Sequence, residues 1–162
     1  MDILWSELTA GFPNRELFTV IVIRFVASTI FGAAIGIERQ RAGKAAGLRT
    51  HVLVATGTTV FILSCIAAGM HTDSDGISRV IQGIVTGIGF VGAGSILKRD
   101  NERDIQGVTT SAGIWMTAAI GVATGLGRLG IALMATVVAL IVLRVAVWVE
   151  GRHARNRTSD ST

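Results

Sequence analysis

The sequence predicts an all-α integral membrane protein, a bundle of about five transmembrane helices with its N-terminus outside and its C-terminus in the cytoplasm. Three observations carry this expectation. Half of the 162 residues are apolar and only 16% are charged, whereas an average soluble domain is about 25% charged. The charges gather in short clusters separated by apolar runs of about 20 residues, the length that spans ~30 Å of hydrocarbon at 1.5 Å per residue. Lys and Arg also alternate between connections. Arg39, Arg41, Lys44, Arg49, Lys98, Arg99, Arg103, Arg152, Arg155 and Arg157 fall on one side, and only Arg15 and Arg128 on the other. An excess of this kind marks the cytoplasmic face.

The elements follow in order. Residues 1–16 form a periplasmic or interfacial segment, in which Ile3, Leu4, Trp5 and Leu8 suit either a short helix at headgroup depth or a frayed terminus. A cleaved signal peptide is not expected, because Asp2 and Glu7 stand where a basic n-region belongs. Residues 17–149 form the transmembrane domain, with spans at 17–37, 50–70, 77–97, 108–126 and 129–149, and 150–162 form a cytoplasmic basic tail.

The composition excludes several classes. Cys65 is the single cysteine, so no intrachain disulfide framework exists. The net charge of +4 suggests nucleic acid, yet topology and anionic lipid account for the basic residues, and no nucleic-acid partner is expected. There is no HExxH or CxxC motif, no metal site or cofactor is expected, and the three histidines are assigned to loops or span ends, none of them buried. With no buried His to activate a serine, an intramembrane protease is not expected either. Gly87-Ile88-Gly89-Phe90-Val91-Gly92 matches the dinucleotide fingerprint in letters only, since it lies inside an apolar helix rather than between a strand and a helix.

Polar residues within the spans define candidate interior faces. Arg24 lies roughly 10 Å below the outer boundary and Gln82 about 8 Å down the third span, so the two are at depths where they could meet. Arg24, Ser28 and Glu38 share one helical sector. The second span carries a stripe of His51, Ala55, Thr58, Cys65 and Gly69; the third, Arg79, Gln82 and Thr86; the fourth, Thr110, Gly113, Thr117, Gly121 and Thr124. The fifth reads as lipid-facing nearly all round, with Arg144 close enough to the inner boundary to snorkel. At the cytoplasmic mouth Glu38, Arg39, Arg49, His51, Thr109 and Thr110 read either as a gating network or as caps and topology signals. Gly32/Gly36, Gly83/Gly87 and Gly121/Gly125 are small-xxx-small pairs, which suit either a homodimer interface or packing within the protomer.

Taken together, Gly36-Ile37-Glu38-Arg39, Gly47-Leu48-Arg49-Thr50-His51-Val52-Leu53-Val54, Arg79 with Gly87 to Gly94, and Gly107-Val108-Thr109-Thr110-Ser111-Ala112 with Trp115 resemble the MgtC/SapB family of bacterial inner-membrane proteins. The resemblance implies about five spans, growth under magnesium limitation and, for founding members, survival inside macrophages and restraint of the ATP synthase. It singles out Arg24, Glu38, Arg39, Arg49, Arg79, Thr109 and Thr110. Founding members carry a soluble C-terminal domain, whereas here Glu150 to Thr162 is too short to fold alone.

The expected function is therefore non-enzymatic adaptation to magnesium limitation, by ion transport or by regulating ion homeostasis. The alternative is a non-transporting regulator that binds another inner-membrane complex such as ATP synthase, with Gly121 on the partner face. Magnesium prefers oxygen ligands, and no carboxylate lies deep in a span, whereas Arg24 and Arg79 would repel a divalent cation. Direct magnesium conduction is accordingly the less favoured mechanism.

Overall fold

The computed structural model describes residues 3, 4, 6, 14–70, 74–98 and 105–159, with side chains described as far as Val145. Five helices run in chain order: α1 Arg15–Arg41, α2 Leu48–Ala67, α3 Ser74–Gly94, α4 Val108–Gly125 and α5 Leu129–Ser159. Between α3 and α4 two short strands, β1 Leu97–Lys98 and β2 Ile105–Gln106, pair antiparallel with Leu97 opposite Gln106. The interfacial reading of the N-terminal segment, and Asp73, Arg99 and Arg103, lie largely or wholly outside the described residues. The helix expected to end near Val149 continues to Ser159.

Local chemistry explains where the helices start. Asn14 caps α1, its Oδ1 accepting from the Leu17 amide at 2.7 Å, with Glu16 in the first turn and Arg39 and Arg41 in the last, both complementing the helix dipole. Gly107, at φ +97°, begins α4 in a left-handed conformation, and a Cβ there would collide with the Ser95 carbonyl.

α4 is the central helix and contacts all four others. Half of it is buried, almost entirely as Gly, Ala, Thr and Ile. α2 packs against α1 and α4, α3 lies on α2 and α4, and α5 lies on α4 and α1. Two apolar clusters flank this axis. Ile35, Ile120, Ala132, Ala139 and Leu143 join α1, α4 and α5, while Ile62, Ile84 and Ala118 join α2, α3 and α4. α1, α2 and α3 are long and apolar enough to cross a membrane by length and composition, and Leu129–Val145 is a slightly shorter apolar stretch. α4 carries no charged residue, and its Gly, Ala and Thr suit a helix whose neighbours are protein rather than lipid.

The glycine pairs have separate roles. A Cβ on Gly32 would lie 2.8 Å from the His51 carbonyl, and one on Gly36 would lie 2.6 Å from Leu48 Cα, so this pair seats α1 on α2. A Cβ on Gly121 would strike Thr58 Oγ1 and the Ala55 carbonyl, and one on Gly125 would lie 2.7 Å from Ile62 Cβ, so this pair seats α4 on α2. Gly121 is therefore inside the protomer rather than on a partner face. Gly83 and Gly87 face open space.

α5 also departs from expectation. It buries Ala132, Thr136, Ala139 and Leu143 along one stripe. α3 is the more exposed helix, burying Ile84 and Gly92. The contrast gives a test: Gly121→Leu, which overpacks the α2–α4 seam, should lower stability by at least about 1–3 kcal/mol. Gly130→Ala on α5, where a Cβ meets open space, should leave it unchanged or raised, and thermal unfolding in detergent compares the two.

Candidate functional site

The polar residues of the bundle fall into three layers along its axis. At one end Arg24, half-buried on α1, donates through Nη1 to the Gly125 carbonyl at 2.7 Å. That carbonyl belongs to the last turn of α4, where four acceptors have no intrahelical donor and the dipole is negative. The guanidinium also lies against Gly127, at φ +76° in the turn that joins α4 to α5, where a Cβ would collide with it. Arg24 is thus a C-cap supplied from another helix. Gln82 does not meet it. Its amide approaches Ser78 Oγ at 3.5 Å on exposed α3, which packs on α2 and α4. α1 and α3 pack on α2 and α4 rather than on each other, so similar depth does not bring the side chains together.

The middle layer is a set of hydroxyls. Thr59 of α2, fully buried, has Oγ1 at 2.9 Å from both Ser28 Oγ on α1 and the Gly121 carbonyl on α4. One hydroxyl therefore joins three helices. Thr58 and Thr124 bond to carbonyls of their own helices. Helical spacing from His51 and Ala55 leads to Thr58 and does not single out its neighbour Thr59, which is buried as well. The buried face of α2 is wide enough to hold both threonines, since α1 and α4 both pack on it.

The third layer corrects the assignment of the histidines. His51 is fully buried at the start of α2, with Nδ1 at 2.7 Å from Thr117 Oγ1 on α4. The Thr117 hydroxyl donates to the Gly113 carbonyl at 2.9 Å. The Thr117 hydroxyl thus stands between the imidazole and its own helix backbone, and the imidazole tautomer sets which of Nδ1 and Oγ1 donates in the contact between them. Nε2 is buried, with no hydrogen-bond partner among the described residues.

Beside it Arg39, with a side chain 2% exposed, donates from Nε and Nη2 to the Glu38 carboxylate at 2.5 and 2.9 Å. The neighbouring carboxylate neutralises a cation that would otherwise be buried alone. Thr110 is buried, while Thr109 and Arg49 are exposed. Arg79, Gln82 and Thr86 are exposed on α3, outside the protomer's interior. Among the described residues, no three of His, Cys, Asp and Glu come together as a metal site. Gly87 to Gly92 lies wholly within α3, with neither the strand nor the helix start that dinucleotide binding needs.

A helical bundle with a small-residue seam, buried hydroxyl bridges and three membrane-length apolar helices defines a membrane protein whose polar interior holds its helices together. The MgtC family pattern matches residues 25–152, and the chain belongs to that family. "Putative magnesium transporter YhiD" of Escherichia coli K12 is 43% identical over 129 residues, covering 76% of this chain and 59% of that protein. "Protein MgtC" of Salmonella typhimurium LT2 is 44% identical over 136 residues, covering 82% and 56%. "Protein SrpB" of Synechococcus elongatus is 39% identical over 129 residues, covering 74% and 71%. The chain thus spans less than two thirds of the length of the YhiD and MgtC relatives. No solved structure matches it.

Arg24→Gln should remove a charge-assisted cap and lower stability by about 1–2 kcal/mol. Arg24→Lys should recover part of the loss, as read by thermal unfolding of the purified protein.

Proposed function

We propose that the protein is a non-enzymatic, multi-pass protein of the bacterial inner membrane that serves adaptation to magnesium limitation as a regulator. In this reading it crosses the bilayer five times, N-terminus out and C-terminus in, and acts by helix-face contact rather than by conducting magnesium through the protomer. One observation carries the reading. The buried hydroxyls and the Arg24 guanidinium are engaged in bonds between and along helices, whereas the polar face of α3, with Arg79, Gln82, Thr86, Gly83 and Gly87, points outward. Such residues within an apolar span are costly against lipid and favour a protein neighbour, and the glycines let another backbone approach closely. The first occupant of this face is a second copy, giving a homodimer. Other inner-membrane proteins would engage the dimer. The magnesium connection comes from the family and from the name of the Escherichia coli relative.

Liposome flux and cross-linking test the two halves together. Purified protein challenged in turn with magnesium, potassium, protons and small anions should give no saturable flux above empty liposomes. In a Cys65→Ser background, Gln82→Cys should cross-link two copies on oxidation, and adding Gly87→Leu should suppress the link. A saturable magnesium flux that disappears in folded Arg24→Gln would overturn the regulator reading. A Gln82→Cys protein that stays monomeric under oxidation would remove α3 as the contact face.

The orientation has its own measurement. In the same background, Arg128→Cys should react with a membrane-impermeant maleimide on spheroplasts, and Lys44→Cys only after permeabilisation. The reverse pattern would invert the topology.

A further inference from the structure

One cleft of the molecule lies outside the layers described above. It sits between α1 and α5, encloses about 350 Å³, and is lined by Ala34, Ile37, Glu38, Arg41, Ala42 and Arg144. Its place along the bundle follows from register. Arg24 touches Gly127 at the start of the α5 hairpin, and 17 residues further along both segments Arg41 and Arg144 line the cleft together. At 1.5 Å per residue that is about 25 Å, close to the thickness of the hydrocarbon. α1 and α5 therefore run in the same direction, and the cleft lies near the opposite boundary from the Arg24 cap.

Its charge is unbalanced. Glu38 is the single carboxylate on the wall, and Arg39, its chain neighbour, already holds it through two hydrogen bonds. Arg41 and Arg144, one from each helix, therefore face the cleft with no second carboxylate on its wall. Around it the surface is apolar and exposed: Ile37 on α1, and Ile141, Val142 and Val145 on α5. Two guanidiniums above an apolar surface suit a molecule with an anionic head and a hydrocarbon body. Arginine binds phosphate oxygens through its planar fork, and basic pockets between helices at the cytoplasmic boundary are suited to anionic headgroups.

We propose that the α1–α5 cleft binds an anionic phospholipid, its phosphate held between Arg41 and Arg144 and its acyl chain lying along Ile141 and Val145. The site gives the protein a preferred lipid and fastens α5 to α1 at the end opposite Arg24. It rests on the reading that α1 and α5 cross the bilayer.

Native mass spectrometry of the full chain released from nanodiscs tests the site. Nanodiscs of mixed phosphatidylglycerol and phosphatidylcholine expose both faces, so the result does not depend on the topology, which the maleimide pattern reports separately. The expected result is about 25-fold enrichment of retained phosphatidylglycerol, since each of the two arginines near the surface is worth roughly fivefold. Arg41→Gln/Arg144→Gln should bring retention to parity. Lys44→Gln/Arg128→Gln, the same change in net charge elsewhere, should keep the enrichment. Ala34→Phe fills the cleft with both arginines in place and should also abolish it, so the site remains testable if the double arginine variant does not fold. Parity in the parent protein, enrichment that survives both cleft variants, or equal loss in the Lys44/Arg128 control would each overturn the proposal. So would thermal stabilisation by inorganic phosphate equal to that by phosphatidylglycerol, which would make the site one for a free anion.

Discussion

Everything in the bundle depends on how closely α2 and α4 can approach each other. Between helices in a bilayer there is little hydrophobic drive, because lipid tails are as apolar as side chains, so dispersion and hydrogen bonding across a short gap must hold them. Gly121 and Gly125 set that gap by leaving no room for even a methyl group against Thr58 and Ile62. At this separation Thr59 reaches both the Gly121 carbonyl of α4 and Ser28 of α1. Gly32 and Gly36 repeat the device on the other side of α2. α3 and α5 are added to this three-helix centre and depend on it for their seats.

The helices were legible in the sequence because the bilayer leaves few alternatives: an apolar run of membrane length must form its hydrogen bonds internally. The face of α4 was legible too, since Thr110, Gly113, Thr117, Gly121 and Thr124 recur at helical spacing and are all buried. What depth alone could not supply was lateral position. Arg24 and Gln82 share a level, but the order of helices around α4 separates them. The same limit applied to exposure. α5 reads as lipid-facing because Ala132 and Ala139 are apolar wherever they point, and only the packing shows that they line a seam. The full burial of His51 is not legible in the sequence, because a polar residue near a span end looks like a loop residue until a second helix covers it.

Polarity in the molecule is thus sorted by position. Inside, hydroxyls bridge helices or return to carbonyls one turn back, and a charge occurs only with its counter-charge, as in Glu38 and Arg39, or with a helix end, as in Arg24 and Gly125. Outside, along α3, polar and small residues stay exposed. A bundle arranged in this way is held together from within and leaves the polar face of α3 open, which is what the proposed regulatory role requires.

The cap on α4 has a consequence for biosynthesis. Arg24 and the carbonyl it binds are 101 residues apart, which at about 5–20 residues per second amounts to roughly 5–20 s of translation. During that interval α1 has a cation one third of the way into its apolar run and no acceptor to receive it. A cation at that depth is costly against lipid, so until the α4–α5 hairpin is made the low-energy place for Arg24 is the nearer membrane boundary. The fold is closed by its last hairpin, and the first helix takes its final depth only when that hairpin arrives.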